Sequence, residues 1–229
     1  MNNFKNLLMT FIGIIAVAMC ATSCLNSSDD DSIDAVTQKR YQQLMSGMYS
    51  GKARFYQLKS TRSFSSQKTY VKYDSIHTSW DVNADSTFRI NNFPVFMLDS
   101  AIVVEKTSTG NEAEKYRALN QAIRALKNSS EGYIMGTKAR YIIPSTSWVS
   151  ENVIQFYVQP YTIERTINFD GADHKVYFVF SPYTTGAFSA TNRKFQAQLA
   201  LSAICIDQLD SSHTVPSQFM NSIVVTLSD

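Results

Sequence analysis

One segment of helical periodicity interrupts a chain that otherwise alternates with the two-residue period of β-strands. Within residues 111–127, Tyr116, Leu119 and Ile123 recur three or four positions apart, which places them on one face of a helix. The sequence on either side is rich in Tyr, Val, Phe and Trp, with apolar and polar residues in alternation. This order predicts an α+β, mainly β fold with one central amphipathic helix.

Short turn signals separate most of the predicted strands, which favours antiparallel sheets over a parallel α/β sheet. The predicted strands are residues 50–58, 68–74, 76–83, 87–91, 139–143, 153–169, 175–181, 195–207 and 222–227. Residues 95–105 are predicted as a further extended segment or a short turn. Residues 33–48 have helical spacing and predict an N-terminal helix with Ser32 as its N-cap.

Two strand predictions carry additional detail. Pro160 lies inside residues 153–169, so we expect a bulge, a bend or a sheet edge there. In residues 195–207 both alternating sets are mostly apolar, which predicts a strand covered on both faces.

Residues 33–229 are long enough to form one β-rich globular domain, either a sandwich or a partly open barrel. A second arrangement remains open, because Ser79-Trp80 is repeated as Ser147-Trp148. In that arrangement, residues 33–110 and 128–229 are two similar β-rich halves joined by the helix at 111–127.

The N-terminus has the features of a secretion signal. Lys5 precedes a mostly apolar run at residues 7–18, which is shorter than the roughly 20 residues that span a bilayer. Residues 1–23 are therefore predicted to be a signal peptide.

The tetrad Ala21-Thr22-Ser23-Cys24 resembles the lipobox of bacterial lipoproteins, which implies acylation of Cys24, with palmitate among the attached chains. The alternative is that Cys24 is an ordinary thiol in a spacer.

Residues 24–32 are polar and acidic, which predicts an extended tether. The acidic run close behind Cys24 resembles the surface-export signal of Bacteroidetes outer-membrane lipoproteins. Tyr49-Ser50-Gly51 and Phe93-Pro94-Val95 add a resemblance to uncharacterised lipoprotein families of that phylum. The resemblance implies a β-rich domain of unknown function at the outer membrane, exposed on the cell surface. An anchor that faces the periplasm is the alternative.

Composition excludes several classes of function. With 44% hydrophobic residues the chain is not a disordered tail, and a net charge of +2 lacks the basic excess typical of nucleic-acid binding. The three His are isolated in sequence, and Cys205 lies in an apolar strand where a buried thiol is expected. The sequence identifies no catalytic residue, no metal site and no cofactor.

Aromatic residues provide the one candidate binding surface. Tyr157, Gln159, Tyr161 and Arg165 share one alternation phase, so on a continuous strand they would form a face of rings, an amide and a guanidinium. Such a face suits stacking on a sugar or gripping a peptide. The alternative is that these Tyr rings form a wall of the core.

Four short motifs resemble the Asp-Ser-apolar acceptor for O-glycans in secreted proteins of the same phylum. The serines concerned are Ser32, Ser75, Ser86 and Ser100. The resemblance implies glycan on those that are exposed.

These observations predict a lipid-anchored envelope protein, with the membrane as one partner and a glycan, a peptide or an envelope protein as another. We expect a non-enzymatic binding or structural module. One alternative is a glycan or peptide hydrolase, which requires a pocket that joins two carboxylates. The other is a subunit of a surface fibre or transport complex, which requires a sheet edge that can accept a partner strand.

Overall fold

The structure, a computed structural model, describes residues 32–60 and 68–229. Its helices are α1 (Ala35–Met45) and α2 (Asn111–Ala125). Its strands are β1 (Gly47–Ser60), β2 (Lys68–Val82), β3 (Thr87–Asn91), β4 (Phe93–Pro94), β5 (Tyr133–Ile134), β6 (Thr137–Ile142), β7 (Val153–Pro160), β8 (Ile163–Phe169), β9 (Ala172–Phe180), β10 (Thr184–Ser189), β11 (Lys194–Ile206) and β12 (Ile223–Ser228). Short 3-10 helices cover Val95–Ala101, Leu126–Asn128, Ser130–Gly132, Thr146–Trp148, Ser211–His213 and Ser217–Phe219. The signal peptide, Cys24 and the tether up to Asp31 lie outside the described residues.

Eight antiparallel strands close into a barrel. Their order is β10-β7-β6-β3-β2-β1-β12-β11, and β10 pairs back to β11 to complete the ring. Strands from residues 33–110 and from residues 128–229 both contribute to this barrel, and they meet where β3 pairs with β6 and β1 pairs with β12. The confirmed antiparallel, mainly β architecture is thus a fully closed barrel, which leaves no free edge within the ring.

The length of β11 explains how a second sheet element attaches to the barrel. Its first part pairs with β10, as in Gly186 opposite Ala197, and its later part pairs with β9, as in Leu201 opposite Phe180. Strands β9 and β10 therefore follow one another along the same edge of β11. The β8–β9 hairpin extends past the ring, and its tight turn uses Asp170 and Gly171, both with positive φ.

Aromatic rings fill the barrel interior. Phe195 is fully buried, and its ring centroid lies 5.2 Å from that of Phe156 and 5.3 Å from that of Tyr49. Trp80 and Phe88 also contact it, at 6.1 Å and 5.9 Å. Because these rings occupy the centre of a narrow eight-stranded barrel, binding surfaces must be sought on its outside and at its ends.

The central helix packs on a buried connecting segment. Every residue of the 3-10 helix Val95–Ala101 is buried, and α2 packs against this helix and against β8. The buried face of α2 carries Ala113 together with Tyr116, Leu119 and Ile123, which confirms the predicted amphipathic helix. The N-terminal helix is also confirmed, but its N-cap is Asp34, whose carboxylate accepts hydrogen bonds from the amides of Val36 and Thr37.

Several strand predictions need correction. Residues 68–74 and 76–83 form one continuous strand, β2, which contains a bulge. Lys72 pairs with Tyr56 and Asp74 pairs with Phe55, so Tyr73 between them has no partner on β1. Residues 95–105 begin with the 3-10 helix and not with a strand. Strand β10 is absent from the predicted strands, because Gly186 and Ala187 interrupt the short run of β-formers Thr184, Thr185 and Phe188. A side chain at Gly186 would collide with the ring of Phe156.

The two detailed strand predictions have different outcomes. The break at Pro160 is confirmed, since β7 ends there and β8 begins at Ile163. The prediction of a strand covered on both faces holds only for Ile204, Cys205 and Ile206 at the end of β11. Earlier in β11 one face is buried in the barrel and the other is partly exposed, because small and polar residues alternate with the buried set.

The position of Phe195 predicts a large effect of truncation. Phe195→Ala should lower the free energy of unfolding by about 3–5 kcal/mol, because it leaves a cavity among four rings. Urea unfolding followed by tryptophan fluorescence measures this change. Leu209→Ala is the control, since Leu209 is 57% exposed and its loss should cost less than about 0.5 kcal/mol. Equal losses in the two variants would contradict this account of the core.

Candidate functional site: an aromatic surface on the barrel wall

The structure divides the four predicted binding residues between two places. Tyr157 and Gln159 lie on β7, where Ile154, Phe156 and Val158 point into the barrel and the alternate residues point outward. Tyr161 follows the end of β7, and Arg165 lies on β8. The shared alternation phase is lost because the chain leaves the barrel after Pro160, and β8 pairs with β9 instead of continuing beside β7.

Tyr157 lies at the centre of a three-ring cluster with Trp148 and Tyr183, which we call the Tyr157 cluster. The Trp148 and Tyr157 centroids are 4.5 Å apart with an interplanar angle of 50°. The Tyr157 and Tyr183 centroids are 5.7 Å apart with an angle of 79°. Tyr183 is 57% exposed, so the cluster presents aromatic surface to solvent. Sequence reasoning missed both partners, because they come from separate segments with no periodic relation to β7.

Tyr183 has a backbone conformation that its side chain disfavours. Its φ is +63°, in the left-handed region that Gly, Asn and Asp tolerate far better than a bulky residue. The residue lies between β9 and β10, where the chain passes from one neighbour of β11 to the next. Strained, exposed residues of this kind are concentrated at binding sites and other functional sites.

The strand register places polar groups beside the rings. On β6, Ile142 lies opposite Tyr157 and Arg140 lies opposite Gln159. Side chains at opposing positions share a face, so an amide and a guanidinium lie one row away from the Tyr157 ring. Aromatic faces with neighbouring hydrogen-bonding groups can both stack on a sugar ring and bond its hydroxyls.

Tyr161 and Arg165 line a separate depression of about 230 Å³ at the end of β6. A guanidinium nitrogen of Arg165 donates to the carbonyl oxygen of Tyr133 at 3.1 Å, which ties β8 to the short strand β5. The Nε of Arg165 and the Oγ1 of Thr137 are buried without a hydrogen-bond partner. Since Tyr161 is 46% exposed, this depression is accessible, but it holds no further aromatic ring.

The described residues offer little for catalysis or metal binding. Among residues 32–60 and 68–229, no group of three or more His, Cys, Asp or Glu side chains is arranged to hold a metal ion. Asp99 is the one buried carboxylate in this part of the chain, and it forms an ion pair with Arg124 at 2.7 Å. Cys205 is buried as expected, with its Sγ 3.4 Å from the Oγ1 of Thr214.

The four serines suggested as O-glycan acceptors differ in exposure. Ser100 is buried, and its hydroxyl donates to the carbonyl oxygen of Met97 at 3.0 Å, so it is not an exposed acceptor. Ser75 and Ser86 are partly buried, and the Ser86 hydroxyl accepts a hydrogen bond from the side-chain amide of Gln42. Ser32 is exposed. Glycan on the exposed serines stays a prediction.

The protein is thus a closed antiparallel barrel filled with aromatic rings, and the Tyr157 cluster on its outer wall is the candidate binding surface. The chain belongs to the family described as "Domain of unknown function (DUF4840)", whose model matches residues 44–206. This confirms the expectation of an uncharacterised family, and the match begins after Cys24. No curated protein and no solved structure matches the chain significantly. In the part of the chain that the structure describes, no helix has the length and apolar character needed to cross a membrane.

The left-handed backbone of Tyr183 predicts that replacing it with Asn will hardly change the stability of the fold. Tyr183→Asn should change the free energy of unfolding by less than about 0.5 kcal/mol, because relief of roughly 1 kcal/mol of backbone strain offsets the lost ring contact. Tyr157→Asn loses contacts with two rings and relieves no strain, so it should cost about 1–2 kcal/mol. Thermal or urea unfolding of both variants tests this. A loss in Tyr183→Asn as large as in Tyr157→Asn would refute the strain argument.

Proposed function

We propose that this chain is a lipid-anchored protein of the outer membrane, exposed on the cell surface, that binds glycan through the Tyr157 cluster. Acylated Cys24 holds it to the membrane, and the acidic segment behind Cys24 links the anchor to the barrel. The protein acts by binding and not by catalysis. The observation that carries the binding proposal is the arrangement of Trp148, Tyr157 and Tyr183 on the barrel wall, where Tyr183 is exposed and the other two rings are half-buried.

The lipobox-like sequence is the evidence for a lipid anchor at Cys24, and the start of the folded body before α1 sets the length of the tether. Cleavage before Cys24 would leave a thiol at the new N-terminus for acylation, and two or three acyl chains bind a bilayer almost permanently. The side chain of Asp34 caps α1 and Ile33 already packs against the core, so the folded body begins no later than Ile33. A fully extended tether from Cys24 to Ile33 would span at most roughly 30 Å.

A sugar fits the cluster better than a folded partner does. The two ring pairs are inclined by 50° and 79°, so the cluster presents rings at different angles and not one flat apolar platform. Gln159 and Arg140 in the adjoining row offer hydrogen bonds to hydroxyl groups. Pyranose rings combine an apolar face with a rim of hydroxyls, which matches this combination of groups.

The hydrolase alternative has less support. Paired-carboxylate hydrolysis needs two acids facing across a cleft, with one of them free to accept or donate a proton. Asp99 is buried but committed to Arg124, and the depression beside Tyr161 contains Glu164 as its only acid among the described residues. Glu164 itself pairs with Lys175 at 3.2 Å.

One observation favours the subunit alternative as a second candidate. Strand β8 is the outer strand of the ten-stranded sheet, and on its far side no strand pairs with it among the described residues. The charged residues Glu164 and Arg165 on this strand disfavour pairing with another chain, so this candidate ranks below glycan binding. A fibre or transport subunit that accepts a donated strand would use this edge.

Acylation is tested by metabolic labelling. Cells that express the full chain and receive radiolabelled palmitate should incorporate label into the protein, and Cys24→Ser should abolish both incorporation and membrane partitioning. Cys205→Ser is the matched control, because Cys205 is buried in the barrel domain and should not affect labelling. Label that persists in Cys24→Ser would overturn the anchor.

Glycan binding is tested on an array, with the full chain purified in detergent. A glycan that binds should lose about tenfold or more in affinity with Tyr157→Ala, because exposed aromatic anchors contribute strongly to binding. Tyr161→Ala is the matched control: this ring is also accessible, at 46% exposure, but it lies in the separate depression. No binding on the array, or equal losses in the two variants, would count against the Tyr157 cluster as the site.

A further inference from the structure

A second surface, between the end of the connecting segment Val95–Ala101 and α2, has the composition of an anion site. It is a groove of about 440 Å³, which we call the Asp99 groove. Its polar lining comprises Gln57, Tyr73, Ser100, Lys106, Arg117, Asn120 and Arg124. The lining contains three cations and no carboxylate, while Ile102 and its neighbours supply an apolar wall.

Three residues of α2 line this groove because of their spacing. Arg117, Asn120 and Arg124 lie at intervals of three and four, so they form a polar stripe beside the buried face of the helix. The side-chain amide of Asn120 donates to the carbonyl oxygens of Asp99 at 2.8 Å and Ile102 at 2.9 Å. The amide thereby fixes the distance between α2 and the end of the 3-10 helix.

Asp99 orients one guanidinium. Its carboxylate is only 2% exposed and accepts a hydrogen bond from the Nε of Arg124 at 2.7 Å. This contact raises the pKa of Arg124, and the Arg124 side chain is still 63% exposed. Because the bond uses Nε, the two terminal nitrogens keep their four N–H donors, and no described residue bonds them. A guanidinium held in this way loses little freedom when an anion binds.

The bulge in β2 brings a hydroxyl to the same place. Tyr73 is the unpaired residue of the bulge, and its OH lies 3.4 Å from the Oδ1 of Asp99. Bulges commonly re-aim a side chain in this way. Burial and the neighbouring carboxylate raise the pKa of Tyr73, so its hydroxyl stays protonated and able to donate at neutral pH.

The remaining two cations have no acidic partner. Arg117 donates from one terminal nitrogen to the carbonyl oxygens of Glu105 and Ser108, at 3.4 Å and 3.0 Å, and forms no ion pair with a described residue. Lys106 is exposed and forms no ion pair in the described part of the chain either. Three positive charges against the single buried charge of Asp99 leave the groove cationic.

We propose that the Asp99 groove binds the carboxylate or phosphate group of an anionic sugar. Arg124 and Arg117 would hold the anionic oxygens through their free N–H groups, which suit the planar geometry of carboxylate and phosphate. Lys106 adds charge at the rim. The hydroxyl oxygen of Tyr73 and the side-chain carbonyl oxygens of Gln57 and Asn120 would accept hydrogen bonds from sugar hydroxyls, since their donors are used within the protein. The volume of the groove suits one or two sugar rings.

The test is calorimetric titration of the purified full chain at low ionic strength. The probes are glucuronate, glucose 6-phosphate and glucose, so that carboxylate and phosphate are compared with an uncharged sugar of the same size. At least one anionic probe should bind, glucose should not, and the affinity should fall as salt is added. Binding of one anion alone supports the proposal and identifies which chemical source the groove prefers.

Two single substitutions make the test specific. Lys106→Gln should weaken anion binding about fivefold or more, since it removes one charge and breaks no contact within the described protein. Lys127→Gln is the matched control, because Lys127 is also exposed but does not line the groove. Anions that bind no better than glucose, or equal affinities in the two variants, would overturn the proposal. Neither result bears on the Tyr157 cluster, which is tested with different variants.

Discussion

The packing of Phe195 against the rings around it is the interaction on which the rest of the structure depends. Phe195 lies on β11, and its ring contacts come from β1, β2, β3 and β7, so one side chain connects five of the eight strands. Gly186 on the neighbouring strand leaves room for the Phe156 ring beside it. Rings of this size fill a narrow barrel, so the side chains that a ligand could reach lie on its outer wall and at its ends.

Both proposed sites arise where the regular ladder is interrupted. Tyr183 occupies the junction at which the chain passes from β9 to β10 along β11, and Tyr73 is the extra residue of a bulge in β2. A regular strand would direct each side chain strictly inward or outward. The irregularities instead turn one ring toward Tyr157 and one hydroxyl toward Asp99. The regular strands hold the barrel rigid, and the irregular positions orient the side chains of the two proposed binding sites.

The sequence predicted local structure well wherever one physical signal dominated. The helix at α2 follows from the spacing of Tyr116, Leu119 and Ile123, and β3 follows from alternation between turns. Closure of the barrel could not be predicted, because it depends on β12 meeting β1 and on β10 meeting β11. The Tyr157 cluster was predicted in part: Tyr157 and Gln159 share a strand, whereas Trp148 and Tyr183 join them only through tertiary folding. The Asp99 groove was missed for the same reason, since its residues come from four segments.

The pairing of β12 with β1 has a consequence for how the molecule reaches its final form. Ser228 pairs with Lys52, so the seam of the cylinder joins positions at nearly opposite ends of the described chain. Partners so distant in sequence meet late, because the entropy of bringing them together is lost before any contact compensates for it. Until β12 pairs, β1 and β11 each have an unpaired edge. A polypeptide with this arrangement stays incomplete until its last described strand is available, and it acquires its cooperative stability only when β12 has paired with both neighbours.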